Sequence, residues 1–373
     1  MPSRSGSATK KPPRTPSRTP ALATNARKVA VVGAGLAGIV CARTLAQAGC
    51  DVTVFEAEAS AGGRMATQDT PFGGFDSGAQ YFTVRDERFG RALQVTGAGC
   101  RPWSASTVRV LDTHGRVAAA GLPPREPHLV AVPGMGNLAL GWAAPLAADG
   151  RLQTNTRVTR IEADALAAGR WQVRTEGSGR AQVQAGFDSV LLALPAPQAC
   201  ALLKDAGRPA ALAMARTLAK VEMAPCWTLM LAFPQASQPK FSTLGPQWNA
   251  ARSTHHRIAW LARESSKPGR SGVERWTVQA SEAWSIEHLH DDDDRVRAKL
   301  LRAFAEITGI HAEPAHAGLR RWAYAKTSRA LGRKFLWEPR AGIGTCGDWC
   351  SGHRVEDAFV SGLELALAVV QRS

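Results

Sequence analysis

The sequence predicts an α/β fold with a second, mixed-sheet α+β domain attached. Three observations carry that expectation. A short apolar run, Val29 to Val32, meets Gly33-Ala34-Gly35-Leu36-Ala37-Gly38 and then a helix-like stretch. A second apolar run, Val52 to Phe55, ends on Glu56, 23 residues after Gly33. Further on, Trp227 to Phe233, Ile258 to Ala262 and Trp276 to Ala280 are β-rich runs of the kind that pair antiparallel.

Strand, glycine turn, helix, strand and acid, in that order, make a Rossmann-type dinucleotide-binding unit. Each part has a physical task. Gly33 lets the chain turn sharply out of the first strand. Gly35 lets backbone approach a pyrophosphate, and Gly38 lets the helix pack closely on the strand. Ala37 lies in the same turn. The helix start presents unpaired N–H groups and about half a positive charge to the phosphates. Leu36, Ile39, Val40 and Leu45 recur at helical spacing and face the sheet. Gly49 stands where a helix end wants a left-handed residue. The Glu56 carboxylate suits the two hydroxyls of an adenosine ribose and would repel a 2′-phosphate, which argues against NADP in this slot. Beyond it, Gly62-Gly63-Arg64 has no use in an NAD unit and a ready one beside a flavin, where Arg64 can donate to phosphate or flavin oxygens.

Later elements follow from the same patterns. The stretch 156–163, Trp171 to Val173 and Val190 to Leu194 read as strands, with Pro195 and Pro197 marking a loop. Val296 to Ile307 reads as an amphipathic helix. Val355 to Val370 reads as the final helix, with Phe359, Leu363, Leu367 and Val370 at helical spacing. The expected division is a basic tail over 1–27, a dinucleotide-binding domain assembled from 28–100, 150–200 and 335–373, and a substrate domain from 101–149 and 201–334.

Composition narrows the function classes. The chain has 373 residues and a net charge of +15. Residues 1–27 hold six of the cations and no acid, amid Pro, Ser and Thr, which predicts a disordered tail without the apolar core of a secretion signal. It has no aromatics, so nucleic-acid binding is not expected. The remaining positive charge suits an anionic small molecule. The seven cysteines are scattered with no C-x-x-C, as befits a reducing cytoplasm, and Cys346 and Cys350 read as small buried thiols. No run of 18 apolar residues predicts a membrane span.

Taken together, GAGLAG, E-x5-GGRM, FDSGAQYFT, VPGMGNL, LLALPAPQA, VQASEAWS, RRWAYAKT and GDWCSGHRVEDAFVSG resemble the renalase-like NAD(P)/FAD-dependent oxidoreductases of the flavin amine oxidase superfamily, from Lys28 to about Val370. The resemblance implies a Rossmann-type FAD-binding domain of the glutathione-reductase and p-hydroxybenzoate-hydroxylase kind, and noncovalent FAD. It implies that Glu56 binds the adenosine ribose, that Gly63 and Arg64 meet the pyrophosphate or flavin region, and that Gln80 and Tyr81 flank the isoalloxazine. It further implies a backbone contact from Val158 to adenine, Asp348 on the ribityl or pyrophosphate part, and N–H groups of Arg354, Val355 and Glu356 directed at flavin N1 and O2. A helix start there stabilises negative charge on a reduced flavin.

The implied reaction takes a hydride from a carbon next to nitrogen onto flavin N5, with O2 reduced to H2O2. The implied substrate is an isomeric dihydronicotinamide dinucleotide. An amine or polyamine oxidase is the alternative, and a flavin carrier with little turnover a third. Candidate substrate contacts are Tyr81, Phe82, Trp103, Gln279, Trp284, Trp322 and Tyr324, the last two alternating on one face of a strand. No acid–base residue is obligatory for direct hydride transfer; Lys326 and Lys220 are candidates for holding a water near N5. The run from Glu287 to Asp294 reads as an acidic cap for the helix that follows rather than a metal site. His255 and His256 are expected on the surface, pointing apart.

Overall fold

The computed structural model describes residues 26–371 except 98, 104–107, 120–125, 178–179, 238–245 and 271. Most of the basic tail, residues 1–25, lies outside the described residues.

Strand β1 (Lys28–Val32), helix α1 (Leu36–Gln47) and strand β2 (Asp51–Phe55) form where the glycine turn placed them. β1 pairs parallel with β2 and, on its other side, with Ser189–Leu192. The full sheet runs Leu336–Glu338, Ile343–Thr345, Ser189–Leu192, β1, β2, Leu152–Gln153, parallel except at its first pair. Its strands are apolar on both faces because both faces are covered. One face packs under α1 and the last helix, Val355–Val370; the other packs on the helices Ala196–Lys204 and Pro209–Leu218. A Cβ on Gly362 of the last helix would lie 2.1 Å from the Ala37 carbonyl oxygen, so this glycine is what lets the two helices touch.

A three-stranded antiparallel meander (Arg157–Ala163, Trp171–Gly177, Arg180–Phe187) leads back into the first sheet. The third layer is a seven-stranded sheet: His316–Arg329, Glu222–Phe233, Glu274–Ala280, Ile258–Arg263, Ala250–Ser253, Arg109–Leu111, Val117–Ala119. Alternation divides its two faces. Trp227, Leu229, Leu231, Phe233, Trp276 and Val278 point to the helix Asp293–Thr308 and fill one core with it. Gln279 and Trp322 point the other way, toward the first domain, where each donates to backbone of residues 77–78.

Two sequence expectations shift. The helix Gly136–Ala148, expected in the substrate domain, packs on α1 through Leu138, Ala139 and Trp142. Pro209–Leu218, also expected there, joins the core of the first sheet. Both are apolar enough to need cover that the seven-stranded sheet already has from its own helix. His255 and His256, expected on the surface and pointing apart, have rings 4.4 Å apart and tilted, and His255 is buried.

Candidate functional site

The glycine turn behaves as three separate devices. At Gly33, φ is +101° and a Cβ would sit 2.7 Å from the Ala193 carbonyl oxygen. At Gly38 a Cβ would come within 2.0 Å of the Gly33 carbonyl oxygen. A Cβ on Gly35 would meet nothing within 4 Å. So two glycines are required by the protein's own packing, and the third faces open space at the start of a helix that has neither a side-chain cap nor an acid in its first turn. That is a cradle for an anion. Gly62 and Gly63, both at positive φ, bring their loop against Gly35 to close its side.

Glu56, at the end of β2, is 8% exposed. Its carboxylate accepts hydrogen bonds from the N–H groups of Ala34 (2.7 Å) and Glu58 (2.9 Å). Burial pushes its carboxyl above the usual glutamate range, and those two N–H groups pull the other way. The chain entering the meander runs beside it, with Thr156 N–H on the Glu56 carbonyl and Asn155 N–H on that of Glu58. Val158, at a bulge in the first meander strand, follows two residues later. Glu56, Val158 and the cradle are therefore neighbours.

Arg64 and Asp348, expected to serve a cofactor separately, stand together. The guanidinium makes a two-pronged pair with the carboxylate at 2.6 and 2.9 Å and also reaches the Ala325 carbonyl oxygen. This ties the glycine loop to the turn Asp348–Cys350 before the last helix and to the seven-stranded sheet. Near that helix start, the Asp357 carboxylate accepts from the N–H groups of His353 and Arg354. The first-turn N–H groups beyond, at Val355 and Glu356, are the orphan donors that every helix start leaves. The Glu356 side chain turns aside and accepts from the backbone N–H groups of Arg85 and Asp86, both at 2.6 Å.

Residues 76–80 run along the seven-stranded sheet, which holds them by their carbonyls. Trp322 Nε1 donates to Ser77 O at 3.0 Å, and Gln279 Nε2 to Gly78 O at 2.7 Å. Gln80 Nε2 donates to Gly78 O at 3.1 Å and to Asp76 O. Tyr81 stacks on His128 at 3.9 Å and lies 5.8 Å from Trp260. Tyr324 and Lys326 follow on the same strand, across an irregularity in its pairing with Ala224 and Cys226.

Four expected contacts lie elsewhere. Trp284 is in the core on the far face of the sheet, stacked on His288 at 4.3 Å. Trp103 is 2% exposed and donates to Ser266 Oγ at 2.9 Å. Phe82, 3% exposed, packs on Phe89. These three indoles and rings have too little free surface to meet a substrate. Lys220 is exposed past the end of the Pro209–Leu218 helix, where its carbonyl accepts from Arg329.

Sequence reasoning missed the most unusual feature. Asp76, Glu264, Lys267 and Arg270 are all buried, and their charges close into a cage. Lys267 Nζ donates to Asp76 at 2.9 Å, Glu264 at 2.8 Å and Gln80 Oε1 at 3.2 Å, which uses all three of its donors. Arg270 bridges the same two carboxylates. Asp76 also accepts from Thr67 Oγ1 and Met135 N–H, and Glu264 from Thr277 Oγ1. Burial pushes the Asp76 carboxyl up, but Lys267 and Arg270 outweigh it and hold it below the usual aspartate range. The available signals were an Asp inside the apolar-aromatic run at Phe75 and a Glu264/Lys267 pair three apart after a strand. Among the described residues, no group of three His, Cys, Asp or Glu side chains is placed to hold a metal, and Asp292 caps the acidic run's helix as expected. No described helix is long and apolar enough to cross a membrane.

Comparison with known proteins adds the chemistry. Residues 31–94 match the model of an NAD(P)-binding Rossmann-like domain, and residues 107–370 that of flavin containing amine oxidoreductases. A 70-residue stretch is 46% identical to the hydroxyneurosporene desaturase of Cereibacter sphaeroides, covering 19% of this chain and 14% of that protein. Among solved structures, a provisionally assigned protoporphyrinogen oxidase from Exiguobacterium sp. 255-15 superposes with a TM-score of 0.72 at 15% identity, covering 93% of this chain and 99% of that one. Wild-type putrescine oxidase bound to putrescine gives 0.67 at 14%, with the same coverages. Cyclohexylamine oxidase from Brevibacterium oxydans IH-35A gives 0.67 at 13%, again covering 93% and 99%.

Proposed function

Because the chain belongs to the flavin containing amine oxidoreductase family, we propose that it is an FAD-dependent oxidase whose hydride donor is an anionic dihydronicotinamide dinucleotide of isomeric, non-standard reduction. FAD is the cofactor, and the open space at Gly35, the uncapped start of α1 and the ribose-facing Glu56 fit it. When bound, FAD supplies N5 as the hydride acceptor. The overall reaction balances as dihydronicotinamide, O2 and a proton giving oxidised nicotinamide and H2O2.

What the chain does is bind, orient and shield. With FAD bound, the N–H groups at the start of α1 would hold its pyrophosphate, and those at the start of the last helix would stabilise negative charge on the ring. Trp322 and Tyr324 offer aromatic surface to a planar donor. No residue has to take a proton from the donor carbon, because the hydride leaves with its electron pair.

The observation that carries this reading is the charge of the donor-facing strand. Arg320 lies over the Trp322 ring, with its guanidinium carbon 4.7 Å from the ring centre, and Lys326 follows, exposed, on the same strand. The nearby carboxylates are engaged. Asp348 pairs with Arg64, Glu58 stands 3.9 Å from Arg320, and Glu356 holds backbone. Such a face attracts phosphates and repels an ammonium group. Conventional amine oxidation is the second reading, and the family match favours it.

Anaerobic stopped-flow mixing separates the two. Isomeric dihydronicotinamide dinucleotides are expected to bleach the flavin band, and putrescine or cyclohexylamine to leave it. Arg320→Ala should raise the dinucleotide KM by about tenfold to a hundredfold, the loss of one charge-assisted contact. Bleaching by the amines alone would overturn the donor assignment and leave the flavin assignment standing.

A further inference from the structure

Lys267 is the one cation of the cage that touches the segment expected to lie along the flavin. Its side chain has 0% exposure and reaches Gln80 Oε1 from the substrate sheet's side. The Gln80 amide is thereby oriented at both ends, with oxygen on Lys267 and nitrogen on the Asp76 and Gly78 carbonyls. Gly78 in turn lies directly on the Arg64 backbone, where a Cβ would come within 2.0 Å of the Arg64 carbonyl oxygen. Ala79 N–H donates to that same oxygen at 2.9 Å. Through Arg64 and Asp348 the chain of contacts ends at the turn Asp348–Cys350 that precedes the last helix. Turning the Gln80 amide would break its contact with the buried Lys267 ammonium.

We propose that Lys267 is a positioning residue for the flavin: acting through Gln80, it sets the wall of residues 78–81 against the isoalloxazine ring. The inference rests on FAD and is independent of the donor proposed above. A second consequence comes from the charge count. Asp76 and Glu264 are matched by Lys267 and Arg270, and Arg275, 4% exposed, adds one further cation by donating to the Arg270 and Phe72 carbonyls. The cage and Arg275 together leave one positive charge behind the wall, which favours a reduced, negatively charged ring.

The test uses full-length protein with FAD bound, as Lys267→Arg, Lys267→Met, Gln80→Leu and the Lys267→Arg/Gln80→Leu double variant. The readouts are the shape of the visible flavin band, the midpoint potential by dye equilibration, Tm, and reduction by N-benzyl-dihydronicotinamide, a donor without phosphates. Lys267→Met should lower the potential and slow reduction about tenfold, the scale of a small misplacement of the reacting atoms. Lys267→Arg should restore most of both. Gln80→Leu should alter band shape and rate with the cage still paired, and adding Lys267→Arg to it should change neither further. If Lys267→Met does not fold, Lys267→Arg, Gln80→Leu and their combination decide the matter. Variants that lose Tm but keep band shape, potential and rate would make the cage purely structural and overturn the proposal.

Discussion

The glycine cradle and the buried ion cage stand on opposite sides of the same segment and are built by opposite means. The cradle is made of missing side chains. Its parts lie within Gly33–Arg64, and each glycine is needed where backbone meets backbone or where open space must remain. The cage is made of charged side chains, brought together from Asp76 and from residues 264–270. One excludes atoms so that a charged ligand can enter; the other keeps charges from water by pairing each of them more than once. A buried pair of this kind gains little net stability over an apolar filling, but half of it alone is costly.

The contrast can be broken from either side. The largest effect is expected at Gly38. Gly38→Val drives a side chain into the Gly33 carbonyl, so it should abolish FAD retention and lower stability by more than about 3 kcal/mol, seen as loss of colour and of the cooperative melt. Asp76→Asn comes next. It leaves Glu264 as the one carboxylate between Lys267 and Arg270, so that a buried positive charge is uncompensated, and should cost about 3–5 kcal/mol at neutral pH in chemical denaturation.

Its pH dependence sharpens the same point. Asp76 titrates below the usual aspartate range when folded, so the unfolded chain binds the proton first. Its stabilisation is therefore complete above the ordinary aspartate pKa of about 3.9 and is lost as pH falls through the lower folded value. The wild type should lose stability steeply in acid, and Asp76→Asn should show a shallower slope over that window.

A smaller and more selective effect is expected at Gly35. Gly35→Ala meets no protein atom within 4 Å and has an ordinary backbone, φ −69°. Apo-protein Tm should move little, within about 0.5 kcal/mol, while FAD affinity measured by fluorescence titration should fall about tenfold or more as the methyl intrudes on the phosphates. Equal losses in both would mean that the open space is not the ligand's. The smallest effect should come from Trp284→Phe, which should lower Tm and leave donor KM unchanged; Trp322→Phe should do the reverse.

Much of the first region was legible in sequence because its physics is local. A strand, a helix start and a carboxylate at fixed offsets can be read in one window, and Val355–Val370 begins and ends where its periodicity says. The other region was not legible, because Asp76 and Lys267 are 191 residues apart and neither stands in a periodic pattern. Tryptophans misled for a related reason. Trp284 and Trp322 both adjoin strands of one sheet, and only the sheet's two faces decide that one is core and the other looks toward the flavin domain. The pairing of Arg64 with Asp348 was hidden in the same way: each residue was conspicuous, and their contact belongs to the fold alone.

That pairing also sets an order of events during synthesis. The glycine turn is translated by about residue 64, but Ala193, on which Gly33 packs, comes later, and Asp348 and the helix that follows are the last parts of the described chain to be made. While the polypeptide is still growing, Arg64 has no carboxylate to turn to and α1 has no Gly362 against it. A message truncated before Asp348 should therefore yield protein that retains little FAD, even though every residue of the glycine turn has been translated.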